Sequence, residues 1–119
     1  MFRNVVSVLA FVIAVAVTGT AAARTPFDGS WSLSVVTQSG DCAPTYQFQI
    51  EIVDGIVTYQ GAAKVRGRVR PDGTVSVTVS TEDAQASGSG KLSRNFGRGH
   101  WSGRSSTARC SGTWTAQRY

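Results

Sequence analysis

Reactive side chains are scarce in this chain. It has one histidine, His100, two cysteines, Cys42 and Cys110, and seven carboxylates against twelve lysines and arginines. One histidine and two cysteines cannot furnish a zinc site of the usual kind. A Ser-His-Asp relay would need a serine and a carboxylate brought beside His100, and no motif brings them there. Asp28, Asp54 and Asp72 sit in turn sequences, where local hydrogen bonding accounts for them, and Glu51 is an isolated outward strand residue. No acid pair for glycoside hydrolysis is visible. The sequence therefore reads as non-catalytic, with no metal and no cofactor.

Helical periodicity is also missing: beyond residue 23 no stretch of ten or more residues shows it. The one long apolar run, Val5 to Val17, falls short of the ~20 residues that a membrane span needs. Arg3 precedes it, and Thr18-Gly19-Thr20 leads into the small residues Ala21-Ala22-Ala23. That is the pattern of a helical export signal over 1–23, cut after Ala23. No cysteine follows the cut, so lipid attachment there is excluded. Residues 24–119 then form a single small domain, secreted or periplasmic, and losing Arg3 takes the formal charge from +5 to about +4. In an oxidising compartment Cys42 and Cys110 are expected to join as a disulfide. Chain-entropy reasoning gives such a staple roughly 4 kcal/mol.

What the sequence has is a two-residue alternation from about Ser30 to Gln117, as in Trp31, Leu33, Val35 and in Tyr46, Phe48, Ile50, Ile52. Successive strand side chains point to opposite faces, so the pattern predicts short strands with one dry and one wet face. Eight are read: Ser30–Thr37, Tyr46–Val53, Ile56–Gly61, Lys64–Arg70, Thr74–Ser80, Gln85–Ser93, Arg98–Ser105 and Ala108–Gln117. Asp54-Gly55 signals a two-residue hairpin, and Pro71-Asp72-Gly73 does similar work. Short connectors make consecutive strands antiparallel neighbours. The expected fold is all-β, an eight-stranded antiparallel up-and-down meander closed into a small barrel, since closure removes exposed edges.

Two placements fit closure. Cys42 lies past the end of strand one and Cys110 near the start of strand eight, at one end of their seam. Trp31, Trp101 and Trp114 are all expected at the opposite end, as an aromatic plug. Gly88, Gly90, Gly99, Gly103 and Gly112 share strand faces with the indoles, as small barrels alternate large and small interior residues.

Phe27-Asp28-Gly29-Ser30-Trp31 contains Gly-x-Trp at the start of the first strand, and Arg118 follows the last strand. That pairing resembles the signature of the calycin superfamily, which includes lipocalins, avidins and bacterial barrel inhibitors. The resemblance implies that Trp31 closes one barrel end with Arg118 packed over it, a cation–π contact. The chain also resembles small exported β-proteins of alphaproteobacteria, with Phe-Asp-Gly-x-Trp early and Cys-Ser-Gly-x-Trp late.

Two sites are candidates for binding. Lys64, Arg66, Arg68 and Arg70 recur every second residue on one strand face, a stripe that would attract an anionic polymer or protein, and Arg94, Arg98 and Arg104 form a looser second patch. Nucleic acid is not expected, because no aromatic residue shares the stripe's face. The other candidate is the interior, where Tyr46 and Tyr59 point inward. The expectation there is a packed core, with a small hydrophobic ligand as the alternative. A membrane barrel is set aside, since the outward faces carry Ser32, Gln47, Gln49, Glu51, Ser76 and Thr78 and most strands read as shorter than ~9–11 residues. The sequence thus points to an exported binding or inhibitor-like module using its basic face and loops. A lipocalin-like carrier and a cell-envelope structural protein are the alternatives.

Overall fold

A computed structural model describes residues 25–119; the expected export signal lies outside them. Eight strands follow in order: β1 (Gly29–Ser39), β2 (Thr45–Val53), β3 (Ile56–Thr58), β4 (Lys64–Val69), β5 (Thr74–Ser80), β6 (Ala84–Leu92), β7 (Phe96–Ser105) and β8 (Arg109–Arg118). Each pairs antiparallel with the next, and β1 closes on β8 from Trp31↔Arg118 to Ser39↔Ser111. The protein is an all-β meander sealed into a barrel. Among the described residues no helix is long and apolar enough to cross a membrane.

The turn chemistry explains the meander. Asp54 (φ 53°) and Gly55 (φ 78°) both adopt the left-handed region that a two-residue hairpin of this kind requires. Their amides donate to the Asp28 carboxylate at 2.7 and 3.1 Å, so the segment before β1 holds the β2–β3 turn in place. In the β4–β5 turn the Asp72 carboxylate accepts from the Thr74 amide at 2.9 Å.

Strand boundaries depart from expectation chiefly in β3, which stops at Thr58 rather than Gly61. Gly61-Ala62-Ala63 has little to fix it in a ladder. The Tyr59 ring instead folds against Gly61, in space that any Cβ there would fill. Several strands are longer than read: β1 has 11 residues, β2 and β6 have 9, and β7 and β8 have 10. Length alone therefore does not set this barrel apart from membrane-spanning ones; the polar, arginine-bearing outward faces do.

The core occupies one half of the barrel. Phe27, Trp31, Ile52, Val57, Val69, Val75, Leu92, Trp114 and Ala116 are buried together near the β2–β3 and β4–β5 turns. Toward the other end Leu33, Val35, Ile50, Val65, Val77 and Trp101 point the same way but are only half-buried. Cys42 and Cys110 are bonded at that second end, with Cα atoms 6.3 Å apart.

The tryptophans occupy three tiers rather than one end. Trp31 pairs with Arg118, Trp114 with Val35, and Trp101 faces Gly112, whose β1 partner is Thr37. Along β1 these tiers are four and then two residues apart, about 14 and 7 Å at strand rise. Trp101 was expected early in its strand, but β7 begins at Phe96, which places the indole mid-strand. Trp114 fits because its neighbours lack side chains. A Cβ on Gly99 would lie 2.7 Å from its Cε2, and one on Gly90 would lie 2.6 Å from its Cζ2.

Candidate functional site

The closed end is built by hydrogen bonds from one arginine. The Arg118 guanidinium lies 4.8 Å from the centroid of the Trp31 ring. Its NH1 donates to the Asp28 carbonyl, NH2 to the Pro26 carbonyl, and Nε to the Arg94 carbonyl at 2.9 Å. Beneath it Trp31 is fully buried and donates from Nε1 to the Phe27 carbonyl at 2.9 Å. Residues 25–28, the β6–β7 turn and β8 therefore meet over one indole. Asp28 belongs to the same cluster. Burial would raise the pKa of its carboxyl, but hydrogen bonds from the Thr25 hydroxyl and the Asp54 and Gly55 amides outweigh it and leave the group below the ordinary carboxylate value.

Above this floor the barrel is hollow. A cavity of about 490 Å³ runs up from Trp31 and is lined by Leu33, Val35, Ile50, Val65, Val77 and the indoles of Trp101 and Trp114. The expected solid packing fails above the floor: Ile52, Val57, Val75, Leu92 and Ala116 are shielded from solvent but also line this cavity. The physical reason is that eight strands enclose a bore just wide enough for side chains to fill. Here the inward positions of β6 and β7 in the upper half are, apart from Trp101, the small residues Ala84, Ala86, Gly88, Gly103 and Ser105, too short to reach the opposite wall. The volume lies within the usual range of ligand sites, ~300–1,000 Å³. One wall is aromatic: Tyr46 stacks on Phe48 with centroids 6.3 Å apart, and Tyr59 meets Phe48 edge-on at 5.9 Å. The opposite wall carries the indoles, whose N–H groups are engaged with backbone. Trp101 Nε1 donates to the Val36 carbonyl at 3.0 Å, and Trp114 Nε1 to the Ser89 carbonyl at 3.2 Å. What the bore presents from them is ring surface.

The mouth is at the disulfide end. Thr81, Gln85, Arg104 and Ser105 supply polar groups there, and Cys42 and Cys110 also reach the lining. Gly40, with φ 101°, packs so closely on Arg109 and Cys110 that a Cβ would overlap them, which seats the β1–β2 loop beside the opening. Tyr46 stands at this rim rather than deep inside. It is 36% exposed, and its hydroxyl accepts from the Ala43 amide at 3.2 Å. Tyr59 is half-buried and lines the cavity.

The basic stripe lies outside. Lys64, Arg66, Arg68 and Arg70 are all exposed. Arg98 and Arg104 join the same outer surface, whereas Arg94 stays in the β6–β7 turn, where its carbonyl serves Arg118. Among the described residues no cluster of three or more His, Cys, Asp or Glu could hold a metal. His100 is exposed on the outer face of β7, paired with Ser89 and Thr113.

Fold and site together define a class: a small closed antiparallel barrel, compatible with a calycin-like fold, with one end sealed and the other leading to an apolar bore. No family model, curated protein or solved structure matches the chain. Sequence reasoning missed two features of the site. Asp28 acts 26 residues away on the Asp54 amide rather than only locally. The bore itself depends on the small residues of β6 and β7, which read as partners for tryptophan.

Proposed function

We propose that the protein is an exported, non-catalytic binding module of the lipocalin–avidin kind, holding a small hydrophobic molecule inside its barrel. The observation that carries this reading is the apolar bore of about 490 Å³, closed by Trp31 and Arg118 and open beside Cys42–Cys110. Burying apolar ligand surface stabilises a complex by roughly 25 cal/mol per Å², and an already open, dry-walled cavity spares the cost of forming one. Facing aromatic walls, with Phe48 and Tyr59 across from Trp101 and Trp114, favour a flat molecule. The disulfide supports an oxidising compartment.

The test is titration with a neutral naphthylamine fluorophore, following quenching of tryptophan emission. Saturable one-to-one uptake is expected. Val65→Phe and Val77→Phe, each narrowing the bore, should weaken it about tenfold or more while the near-ultraviolet dichroism stays native. Unchanged uptake in both variants would place the fluorophore elsewhere and end the proposal.

A further inference from the structure

The outer surface of β4 to β8 carries no carboxylate. Asp41, Asp72, Glu82 and Asp83 sit in connecting segments, Asp28 and Asp54 at the closed end, and Glu51 on β2. The outward ranks instead run serine and threonine between cations. Arg66 pairs with Thr78, then Ser87, Ser102 and Ser111 in successive strands, and Arg68 pairs with Ser76, then Ser89, His100 and Thr113. Two broad depressions follow these ranks. One is lined by Arg66, Arg68, Ser76, Thr78, Ser87 and His100; the other continues past Gln85, Ser102, Arg104 and Arg109.

Two of the cross-strand pairs on this surface are of like charge. Lys91 stands directly opposite Arg98, and Arg104 directly opposite Arg109. Neighbours in such register are about 5 Å apart at Cβ, where like charges destabilise a sheet. Asp72, the nearest carboxylate at the lower rim, has its pKa lowered first by the Thr74 amide and further by Lys91 and Arg70, so it answers only the bottom of the patch. A fold that sets cations face to face without a countercharge violates its own local rules, and such violations mark functional surfaces.

We propose that this face is a docking groove for an acidic polysaccharide, a linear chain of sugars bearing carboxylate or sulfate groups. Guanidinium forks match the planar anions, and the interleaved hydroxyls match sugar hydroxyls. Cations recur about 7 Å apart along β4, and β4 and β7 are about 14 Å apart measured around the barrel wall, so a flexible polyanion that follows the curved surface can meet several at once. An anionic membrane fits less well. Of the large exposed apolar side chains, Ile56 lines the groove, while Val36, Tyr46, Val53, Phe96 and Tyr119 stand outside it, which leaves too little apolar surface to anchor among head groups. The inference concerns the outside of the barrel and stands apart from the cavity.

The experiment uses the oxidised protein with soluble dextran sulfate and polygalacturonate as probes, and with phosphatidylglycerol vesicles as the comparison. Binding to at least one glycan is expected at low salt, released as salt shortens the screening length. Arg98→Ser/Arg104→Ser should weaken it roughly tenfold, as should Lys64→Ser/Arg66→Ser, while Arg94→Ser leaves it unchanged. The Arg98→Ser/Arg104→Ser variant alone should melt at or above the wild-type temperature in low salt, since it removes repelling neighbours. Glycan should raise the melting temperature of the wild type more than that of the variant. Wild-type affinity in both double variants, or attachment to vesicles without attachment to either glycan, would overturn the proposal.

Discussion

Replacing Arg118 with methionine keeps an apolar stem over Trp31 and removes every donor. The guanidinium serves three backbone carbonyls, of Pro26, Asp28 and Arg94, and faces the indole at 4.8 Å. The bonds to Pro26 and Arg94 are exposed, so water takes over much of their work and each counts for about 0.5 kcal/mol. The bond to Asp28 is partly buried and counts for about 1.5 kcal/mol, and the cation over the ring for about 1 kcal/mol. Together they predict a loss of about 3.5 kcal/mol. For a domain of this size each kcal/mol moves the melting temperature by ~4–8 °C, so Arg118→Met should melt roughly 14–28 °C lower. Arg118→Lys keeps the charge but loses the fork, and should fall between the two. Thermal unfolding by far-ultraviolet dichroism measures the loss, and fluorophore titration should show uptake intact in the folded variant, because the mouth is at the other end. A Met variant within about 1 kcal/mol of wild type, or a Lys variant equal to it, would refute the idea that this fork latches the barrel.

Gly99→Val should cost about 3 kcal/mol or more, because its Cβ would overlap the Ser89 carbonyl of β6 and stand 2.7 Å from both the Gly90 Cα and the Trp114 ring; urea unfolding reads the loss, and altered near-ultraviolet dichroism reports the displaced indole. Acid should weaken the fold through Asp28 and Asp72, whose folded pKa values both lie below the ordinary 3.8. A lowered folded pKa means the stabilisation is fully present above 3.8 and is lost as pH falls through the lower folded values. Urea midpoints should therefore hold above about pH 5 and drop below about pH 4, with Asp28→Asn flattening that drop.

Alternation along each strand made the inward set legible, and Asp54-Gly55 and Pro71-Asp72-Gly73 made the meander legible. The seam could be read from where Cys42 and Cys110 fell. The tiers of the tryptophans could not, because they depend on strand length, and one or two residues at the start of β7 decide whether Trp101 is terminal or central. Nor could the bore be read. Parity says that Val35 and Val77 both point inward but not whether they meet, which turns on the coiling of opposed walls. The glycines of β6 and β7 signalled room for indoles, yet the indoles lie flat across their neighbours and hydrogen-bond to Val36 and Ser89, leaving the centre open. The cationic face was half-visible. The stripe on β4 stood out by its period of two, while Lys91↔Arg98 and Arg104↔Arg109 emerge only once hairpin registers are known.

The seam between β1 and β8 joins residues as far apart as Trp31 and Arg118. Contacts of such long separation form late, after the hairpins between them. A chain with its hairpins made and its seam still open would carry two bare rims, the rim of β1 complementary to the β8 of any copy nearby. The same complementarity that seals one chain upon itself thus offers a route to exchanged dimers, with the hydrogen bonds of the β1–β8 seam made between two molecules instead of within one.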